Sequence, residues 1–355
     1  MPDRTYGQVV AIPARNEVDL LPLCLRAIAA QHSVAMEDVA VVVAANNCSD
    51  DTALVARAME LPFALYVEEV DLPASIAHAG GARRRAMDRA AELCAGDGVI
   101  LTTDADGRPD PDWLASYRKA FAPGVAAAAG RVSTDWAELS QFPQDVLDVG
   151  AREWAYQAMS AQLEALCDPV AHDPWPNHNQ QCGANAAITR VWYEKVGGLP
   201  MLRTGEDGAL FREVWRRDGA IRHDPAPHVT VSARLVGRAQ GGMADALSSR
   251  HGDTYLCDDL LEPARDLERR ALWRAAARAA FGEGGMARWA VTHGADPALA
   301  REAARQSSFG EAWLWLEDAW PMLAKRRVAA RDIDGELETI RRLLTAHGAQ
   351  TYCEW

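Results

Sequence analysis

The sequence lacks the features that mark membrane proteins and nucleic-acid binders. It has no apolar run near the roughly 20 residues that span a bilayer, and its first residues are polar, so neither a transmembrane segment nor a signal peptide is predicted. It has no excess of positive charge, because its formal net charge is −13. A general nucleic-acid binder normally presents a basic face, so nucleic acid is not an expected partner.

Cysteine is sparse and dispersed. The seven cysteines are odd in number, and no two have the Cys-x-x-Cys spacing. This pattern favours neither a disulfide framework nor a zinc site, and it is typical of a reducing compartment. We therefore expect a cytoplasmic protein.

Two common nucleotide-binding loops are absent after the first predicted strand, Gln8–Ala14. That strand runs into Pro13-Ala14-Arg15-Asn16-Glu17, without the Gly-x-Gly-x-x-Gly of a nicotinamide-dependent dehydrogenase. The glycine-rich, basic phosphate loop of a sugar nucleotidyltransferase is missing there as well. Both enzyme classes are therefore disfavoured.

What the sequence does contain is a regular alternation of strand-like and helix-like segments over its first 135 residues. Strands separated by helices of this length predict an α/β fold with a doubly wound, mostly parallel sheet. Ligands of such sheets bind beyond the carboxyl ends of the strands. Ser49 is the expected N-cap of the second helix. The predicted strands are Gln8–Ala14, Val39–Asn46, Ala64–Val70, Val99–Asp104 and Val125–Ser133.

The composition changes after about residue 250 to Ala, Arg, Glu, Leu and Trp with helical periodicity. We therefore predict an α/β domain over residues 1–240 and a helical C-terminal extension over residues 241–355. The extension is most simply explained by core packing, and a homodimer interface or an acceptor-binding cap are alternative hypotheses. The helices predicted in the extension are Leu267–Phe281, Pro297–Gln306, Glu311–Leu323 and Ile333–His347, and in the middle of the chain a helix is predicted over Gln144–Cys167, followed by a proline-rich loop over Asp168–Asn179.

A pair of aspartates follows the apolar strand that begins at Val99. Side chains alternate along extended backbone, so Asp104 and Asp106 are expected to point the same way. Two buried carboxylates are costly unless a cation or hydrogen-bond donors meet them. A hard divalent ion bound to a diphosphate would do so, and a simple turn that ends the strand is the alternative.

Taken together, the motifs resemble those of family-two glycosyltransferases with the GT-A fold, over about residues 7–240. The resemblance implies a nucleoside-diphosphate-sugar donor, a divalent metal (Mn²⁺ or Mg²⁺) and transfer of the sugar to an acceptor hydroxyl. The matching segments are Ile12–Glu17, Asn46–Thr52, Gly81–Arg85, Thr103–Asp106, Gly183–Asn185 and Gly205–Asp207.

The resemblance also implies which residues bind the donor. In the family an acidic residue commonly stands at the position of Asn46, so the identity of the nucleobase stays open. Arg234 and Arg238 are expected to hold the diphosphate when the loop Gly237–Gly242 closes. The expected donor-binding residues are Pro13, Arg15, Glu17, Asn46, Asp50, Arg83, Asp104, Ala105, Asp106, Arg234 and Arg238.

The remaining roles follow from the same resemblance. Asp106 and Asp104 are the expected metal ligands, with His228 as a candidate third ligand. Asp207 is the expected general base, with Glu206 beside it, although carboxylates at a helix start also serve as caps. The expected acceptor-binding residues are Gly183, Ala184, Asn185 and Trp175.

The stereochemistry of transfer is expected to be inverting, with a retaining transferase on the same fold as an alternative. A non-catalytic nucleotide-sugar-binding protein is the alternative outside enzymes. The presence of Asp207 favours the enzyme, because a sensor has no use for a base. The donor sugar and the acceptor are not predicted.

Overall fold

A computed structural model of the chain describes residues 4–234, 256–258 and 260–349. The described residues fall into two compact units. The sheet unit comprises the described residues of 1–141, 180–214 and 219–248, and the helical unit those of 142–179, 215–218 and 249–355. The predicted division at residue 240 stays a prediction.

The sheet unit is built on one sheet, which has eight strands among the described residues. Their order across the sheet is β3-β2-β1-β4-β7-β6-β8-β5. The strands β1–β4 pair in parallel, as do β6 and β8, whereas β7 is antiparallel to β4 and β6, and β5 is antiparallel to β8. The strands are β1 (Tyr6–Ala14), β2 (Val39–Asn46), β3 (Ala64–Val70), β4 (Cys94–Thr102), β5 (Arg108–Pro109), β6 (Val125–Thr134), β7 (Ala186–Thr189) and β8 (Ala220–Val231).

The mostly parallel α/β sheet predicted from the sequence is confirmed. The strand β2 is buried along its whole length, which is why it appears in the sequence as an uninterrupted apolar run. Leu21, Leu25 and Ile28 of the first helix pack with Val41 and Val43 of β2 in one buried cluster. The helices assigned to this part of the chain are α1 (Leu21–Ala29), α2 (Thr52–Arg57), α3 (Ala79–Leu93), α4 (Trp113–Ala120), α5 (Trp136–Leu139), α7 (Arg190–Lys195) and α8 (Glu206–Arg216), the last of which extends into residues of the helical unit.

One predicted helix start was wrong. The helix α2 begins at Thr52, and its cap residue is Asp51 rather than Ser49. The Thr52 N–H donates to Asp50 Oδ1 at 3.1 Å. The carboxylate of Asp50 therefore accepts a hydrogen bond from the first residue of the helix. The hydroxyl of Ser49 was expected to accept such a bond instead.

The helical unit contains the long helix α6 (Gln144–Cys167), which the sequence predicted to the residue. Its other helices pack through two buried apolar clusters, one around Tyr156 and Leu267 and one around Trp313 and Trp289. In the described part of the chain, none of the helices has the length and apolarity that crossing a bilayer requires. The other helices of the helical unit are α9 (Ala264–Gly282), α10 (Met286–Thr292), α11 (Pro297–Ala304), α12 (Phe309–Ala319) and α13 (Ile333–Ala346).

Candidate active site

The polar ends of neighbouring strands meet in a pocket of about 480 Å³ in the sheet unit. Pro13 and Glu17 come from the end of β1, Asn46 ends β2, and Asp104 and Asp106 follow β4. The carboxyl ends of adjacent parallel strands lie at one edge of a sheet, so these side chains share a rim. The pocket is of a size that accommodates a small organic ligand. The other lining residues are Ala14, Arg15, Ala77, His78, Ala79, Ala82, Arg83, Ala105, Val132, Cys182, Gly183, Ala184, Arg203, Thr204, Gly205, Glu206, Asp207, Val231, Ser232 and Arg234.

The two aspartates lie in a turn rather than on the strand. The strand β4 ends at Thr102, and the Gly107 N–H donates to the Asp104 carbonyl oxygen at 3.0 Å. The expectation that Asp104 and Asp106 project together because of extended backbone was therefore wrong. The turn nevertheless brings both residues into the pocket lining.

Arg83 joins the donor end of the pocket to the start of helix α8. Its guanidinium is buried and donates four hydrogen bonds. Burial lowers the pKa of Arg83, but the carboxylates of Asp104 and Glu206 outweigh that effect and raise it above the ordinary value. The acceptors are Asp104 Oδ1 at 2.7 Å, Glu206 Oε1 at 3.1 Å, Thr102 Oγ1 at 2.8 Å and the Gly183 carbonyl oxygen at 2.7 Å.

The close approach of Arg83 explains why residue 183 is a glycine. A Cβ atom added at Gly183 would lie 2.6 Å from Cζ of Arg83, so any side chain there would displace the guanidinium. Close approach of two groups is a common reason for glycine. The structure thus gives a structural cause for this glycine, and the expected contact of Gly183 and Ala184 with an acceptor stays a prediction.

The adjacent acids at the start of α8 have different surroundings. Glu206 is buried and paired with Arg83. Asp207 is partly exposed, and its carboxylate accepts from the backbone N–H groups of Gly183 at 2.6 Å and Gly208 at 2.7 Å. Those two bonds orient the Asp207 carboxylate without an ion pair through an arginine. Of the two acids, Asp207 is the one whose charge stays available to a ligand in the pocket.

Asp106 shares its cationic neighbour with another acid. Arg234 Nη2 lies 3.3 Å from Asp106 Oδ2, while the same guanidinium donates to both carboxylate oxygens of Glu17, at 2.6 and 3.0 Å. Burial and the nearby Asp104 raise the pKa of Asp106 to about 7, and Arg234 offsets this only in part. The charged form of Asp106 is therefore incompletely compensated by the protein.

Asn46 and Asp50, both expected at the nucleotide end, are placed differently. Asn46 lines the pocket, is 1 % exposed, and its side-chain oxygen has no hydrogen-bond partner. A buried polar atom without a partner is uncommon and is explained by a ligand that supplies one. Asp50 does not line the pocket; it accepts from the backbone N–H groups of Val18 at 3.3 Å and Thr52 at 3.1 Å.

The structure does not support His228 as a metal ligand. Its Nδ1 is 2.9 Å from Asp110 Oδ2, and its Nε2 is 2.8 Å from Ser133 Oγ. Both ring nitrogens are thus engaged, and His228 is not among the described residues that line the pocket. The sequence could not reveal this, because the pairing of β8 with β6 sets the position of the ring, opposite Arg131.

Two further expected site residues, Asn185 and Trp175, are not among the described residues that line the pocket. The Asn185 side chain is fully buried, and it accepts from Trp113 and Tyr117 and donates to the carbonyl oxygens of Arg131 and Pro227. Its full hydrogen-bonding capacity is used in the protein, so the geometry gives it a structural role. Trp175 belongs to the helical unit, and its expected contact with an acceptor stays a prediction. Arg238 lies outside the described residues.

The pocket also contains residues that the motifs did not indicate, namely His78, Arg203 and Thr204. His78 is the N-cap of α3, where its Nδ1 accepts from the Gly81 N–H at 3.2 Å. Arg203 and Thr204 precede α8 in a segment without regular structure, and only their proximity to Gly205-Glu206-Asp207 could have marked them. Cys182 lines the pocket too, but burial raises the pKa of its thiol to about 12, so it is not a thiolate nucleophile.

The residues present suit a cation shared with a ligand better than a cation held by the protein alone. Within residues 4–234, 256–258 and 260–349, no three His, Cys, Asp or Glu side chains are arranged to hold a metal ion. Asp104 and Asp106 supply carboxylate oxygens, the donor type that Mg²⁺ and Mn²⁺ prefer. Asp106 is a buried acid whose charge is incompletely met. The pair therefore fits a divalent ion whose other ligands come from bound phosphate groups and water.

Comparison with known protein families gives one match. Residues 9–154 match the model of glycosyl transferase family 2. The match spans 146 of the 355 residues, and over this region the chain is similar to that family. The resemblance inferred from the motifs is thereby confirmed for this region, which includes most of β1, the strands β2 to β6, and with them Asp104 and Asp106. No curated protein sequence matches the chain.

Solved glycosyltransferases resemble the chain at low identity. A mannosyltransferase from Pyrobaculum calidifontis, in complex with GDP-Man and Mn²⁺, is 19% identical over 96% of this chain and 87% of its own, with a TM-score of 0.46. Residues 1–349 of S. aureus TarS, with UDP-GlcNAc, are 13% identical over 96% of this chain and 89% of theirs, with a TM-score of 0.47. Glucosyl-3-phosphoglycerate synthase from Mycobacterium tuberculosis, with Mn²⁺, UDP and glucosyl-3-phosphoglycerate, is 17% identical over 70% of this chain and 77% of its own, with a TM-score of 0.39. These likenesses are too distant to assign a donor or an acceptor here.

Proposed function

We propose that this protein transfers a sugar from a nucleoside-diphosphate donor to an acceptor hydroxyl, with inversion at the anomeric carbon. The observation that carries the proposal is that one pocket of the sheet unit is lined by Asp104 and Asp106, which lie in the region similar to glycosyl transferase family 2, and also by Asp207. Arg83 bridges the two ends by binding Asp104 and Glu206. Donor recognition and proton removal are thus combined in a single cavity.

The donor is proposed to bind along the strand ends. Asn46, with its unsatisfied buried amide oxygen, is placed to accept a hydrogen bond from a nucleobase. Asp104 and Asp106 would hold a divalent cation, which, when bound, stabilises the negative charge of the departing nucleoside diphosphate. Arg15 and Arg234 line the same pocket and supply fixed positive charge toward the phosphates.

Asp207 is proposed to be the general base. The backbone N–H groups of Gly183 and Gly208 fix its carboxylate, and its partial exposure leaves it accessible to a ligand. In the proposed reaction the acceptor oxygen attacks the anomeric carbon, the bond to the diphosphate breaks, and the acceptor proton passes to Asp207. Such a base contributes typically 10²–10⁴-fold in rate.

Location and assembly remain predictions. The six cysteines described are free thiols, which favours the expected cytoplasmic location. Among the described residues nothing identifies a homodimer interface, so the homodimer and the acceptor both stay open.

The donor class can be tested by isothermal titration of uridine, guanosine, adenosine and cytidine diphosphates, with and without Mn²⁺. We expect one base to bind, with an affinity that Mn²⁺ increases. Turnover is then measured as release of nucleoside diphosphate from the corresponding sugar nucleotides, with water as the default acceptor.

Asp207→Asn separates the enzyme from a non-catalytic binding protein. We expect it to keep nucleotide binding and to lose turnover by about 10²–10⁴-fold, because only proton removal is affected. Asp97→Asn, an exposed aspartate outside the pocket lining, is the matched control and should behave as the wild type. Unchanged turnover in Asp207→Asn would exclude it as the base, and the anomeric configuration of the product would distinguish inversion from retention.

A further inference from the structure

The guanidinium of Arg234 lies between two buried acids. Nη1 and Nη2 donate to the two carboxylate oxygens of Glu17 at 3.0 and 2.6 Å, and Nη2 also lies 3.3 Å from Asp106 Oδ2. Glu17 and Asp106 are separated by 89 positions in the chain, yet they contact the same nitrogen atom. Glu17 is 5 % exposed, so this carboxylate depends on the protein or a ligand for its counter-charge.

The acids that line the pocket outnumber its arginines. The charged side chains that line the pocket are five acids (Glu17, Asp104, Asp106, Glu206 and Asp207) and four arginines (Arg15, Arg83, Arg203 and Arg234). Arg83 forms ion pairs with Asp104 and Glu206, and Arg234 is the arginine that contacts Asp106. A bound diphosphate would add further negative charge. A divalent cation would offset that addition where two carboxylates already converge.

We propose that Glu17 is a further ligand of the divalent cation assigned to Asp104 and Asp106, and that Arg234 occupies the position of the cation between Glu17 and Asp106 until metal and diphosphate arrive. The inference rests on the proposed function, because it assigns the metal site of the same donor pocket. Glu17 and Asp106 already contact the same guanidinium nitrogen, Nη2 of Arg234, so a metal ion in its place would contact both carboxylates. Arg234 would then be free to contact the phosphates, for which its planar fork of N–H donors is suited.

This exchange has a measurable consequence for metal binding without nucleotide. A cation must displace Arg234 from two carboxylates, so the wild-type protein should bind Mn²⁺ weakly by itself. Removal of the competing guanidinium should strengthen the binding, and loss of the Glu17 charge should weaken it. If instead Arg234 were only a structural partner of Glu17, its removal would leave the affinity for Mn²⁺ unchanged or reduce it.

The test is titration of the full-length protein with Mn²⁺ alone at pH 8, with free Mn²⁺ measured by electron paramagnetic resonance. We expect Arg234→Met to bind Mn²⁺ about tenfold more tightly than the wild type, and Glu17→Gln about tenfold more weakly. Arg234→Lys keeps the positive charge and should stay near the wild-type affinity. Arg108→Met, which removes an exposed arginine that pairs with Asp135, is the control for net charge and should change nothing.

Circular dichroism verifies that each variant is folded, and Glu17→Gln provides an independent test if Arg234→Met does not fold. The proposal is overturned if Arg234→Met binds Mn²⁺ no more tightly than the wild type, or if Glu17→Gln binds it equally well. Nucleoside-diphosphate titrations on the same preparations separate the two levels of inference. Binding and turnover with unaltered Mn²⁺ affinities would refute this cation site alone, whereas absence of nucleotide binding with and without Mn²⁺ would refute the proposed function.

Discussion

Asp106 in the sheet unit and Asp168 in the helical unit are both largely buried, but their pKa values are displaced in opposite directions. Burial raises the pKa of Asp106 to about 7, helped by Asp104. Burial acts in the same sense on Asp168, but hydrogen bonds and charge from Arg278 and Arg274 outweigh it and lower the pKa below the usual value. The desolvation is similar in kind, and the supply of counter-charge differs.

The contacts explain the contrast. Asp168 accepts from Arg274 Nε at 2.5 Å and Arg278 Nη2 at 3.0 Å, with a further bond from Arg278 to its other oxygen. Asp106 has one arginine nearby, and that arginine donates two closer bonds to Glu17. A buried acid with two arginines is complete within the protein, whereas one that shares a single arginine is suited to receive a ligand.

Asp168→Asn is expected to have the largest effect on the free energy of unfolding. This change leaves Arg274 and Arg278 without the charge that they surround, and we expect a loss of about 3–5 kcal/mol in the free energy of unfolding. Urea denaturation of the full chain measures the effect. A loss below about 1 kcal/mol would show that the pairing contributes little, contrary to the contrast drawn here.

Asp106→Asn is expected to act in the opposite direction. The pKa of Asp106 is higher in the folded protein than in the unfolded chain, so its contribution to stability is full below about pH 4 and is lost as the pH rises through about 7. The amide removes that loss, and the variant should be more stable than the wild type at pH 8 by on the order of 2 kcal/mol.

Thermal unfolding of both proteins between pH 4 and pH 8 checks this sign. The difference in stability should shrink toward zero at pH 4, and turnover should be lost at every pH. Equal stability of the two proteins at pH 8 would contradict the uncompensated charge assigned to Asp106.

Gly183→Ala tests acids that are already paired, because it disturbs the ion pairs of Arg83 with Asp104 and Glu206. The new Cβ would lie 2.6 Å from Cζ of Arg83, so the guanidinium must move away from Asp104 and Glu206. We expect a destabilisation of about 1–2 kcal/mol, typical of overpacking, with a larger fractional loss of turnover. Gly208→Ala, at a helical glycine with open space around it, is the matched control and should not destabilise the protein, because alanine has the higher helix propensity.

Glu69→Gln should have the smallest effect. Glu69 pairs with Arg57 at the surface, where the two side chains are 61% and 47% exposed. Solvent screens such a pair, so we expect a change below about 0.5 kcal/mol by urea denaturation. A cost near that of Asp168→Asn would show that burial does not determine how much an ion pair contributes to the stability of this protein.

The sequence predicted those parts of the fold that depend on local pattern. Val39–Asn46 was predicted to the residue because a strand buried on both faces is a continuous apolar run, and α6 was predicted with the bounds that the structure shows. The strand was predicted to end at Asp104 but ends at Thr102, and the two aspartates lie in the turn that was the stated alternative. Asp104 and Asp106 were still identified as candidate site residues, because the Asp-x-Asp pattern can be recognised in the sequence whichever backbone conformation it adopts.

Contacts between distant segments could not be predicted. Arg83 was expected to bind a diphosphate, yet its partners Gly183 and Glu206 lie 100 and 123 positions away. Likewise, Asp168 appeared as part of a proline-rich loop, because its arginines follow 106 and 110 positions later. The ring of His228 depends on the register of two strands. Such pairings are fixed by tertiary packing, on which a single sequence carries little information.

The four bonds of Arg83 have a mechanical consequence for the pocket. One rigid planar group ties the end of β4, the turn at Asp104, the segment at Gly183 and the first residue of α8 into a single block. A lysine, with one compact ammonium, has no geometry that reproduces this joint. The wall that contains Asp104 is therefore stiff, and adjustment to different donors falls to the opposite side, where the Arg234 fork has fewer attachments.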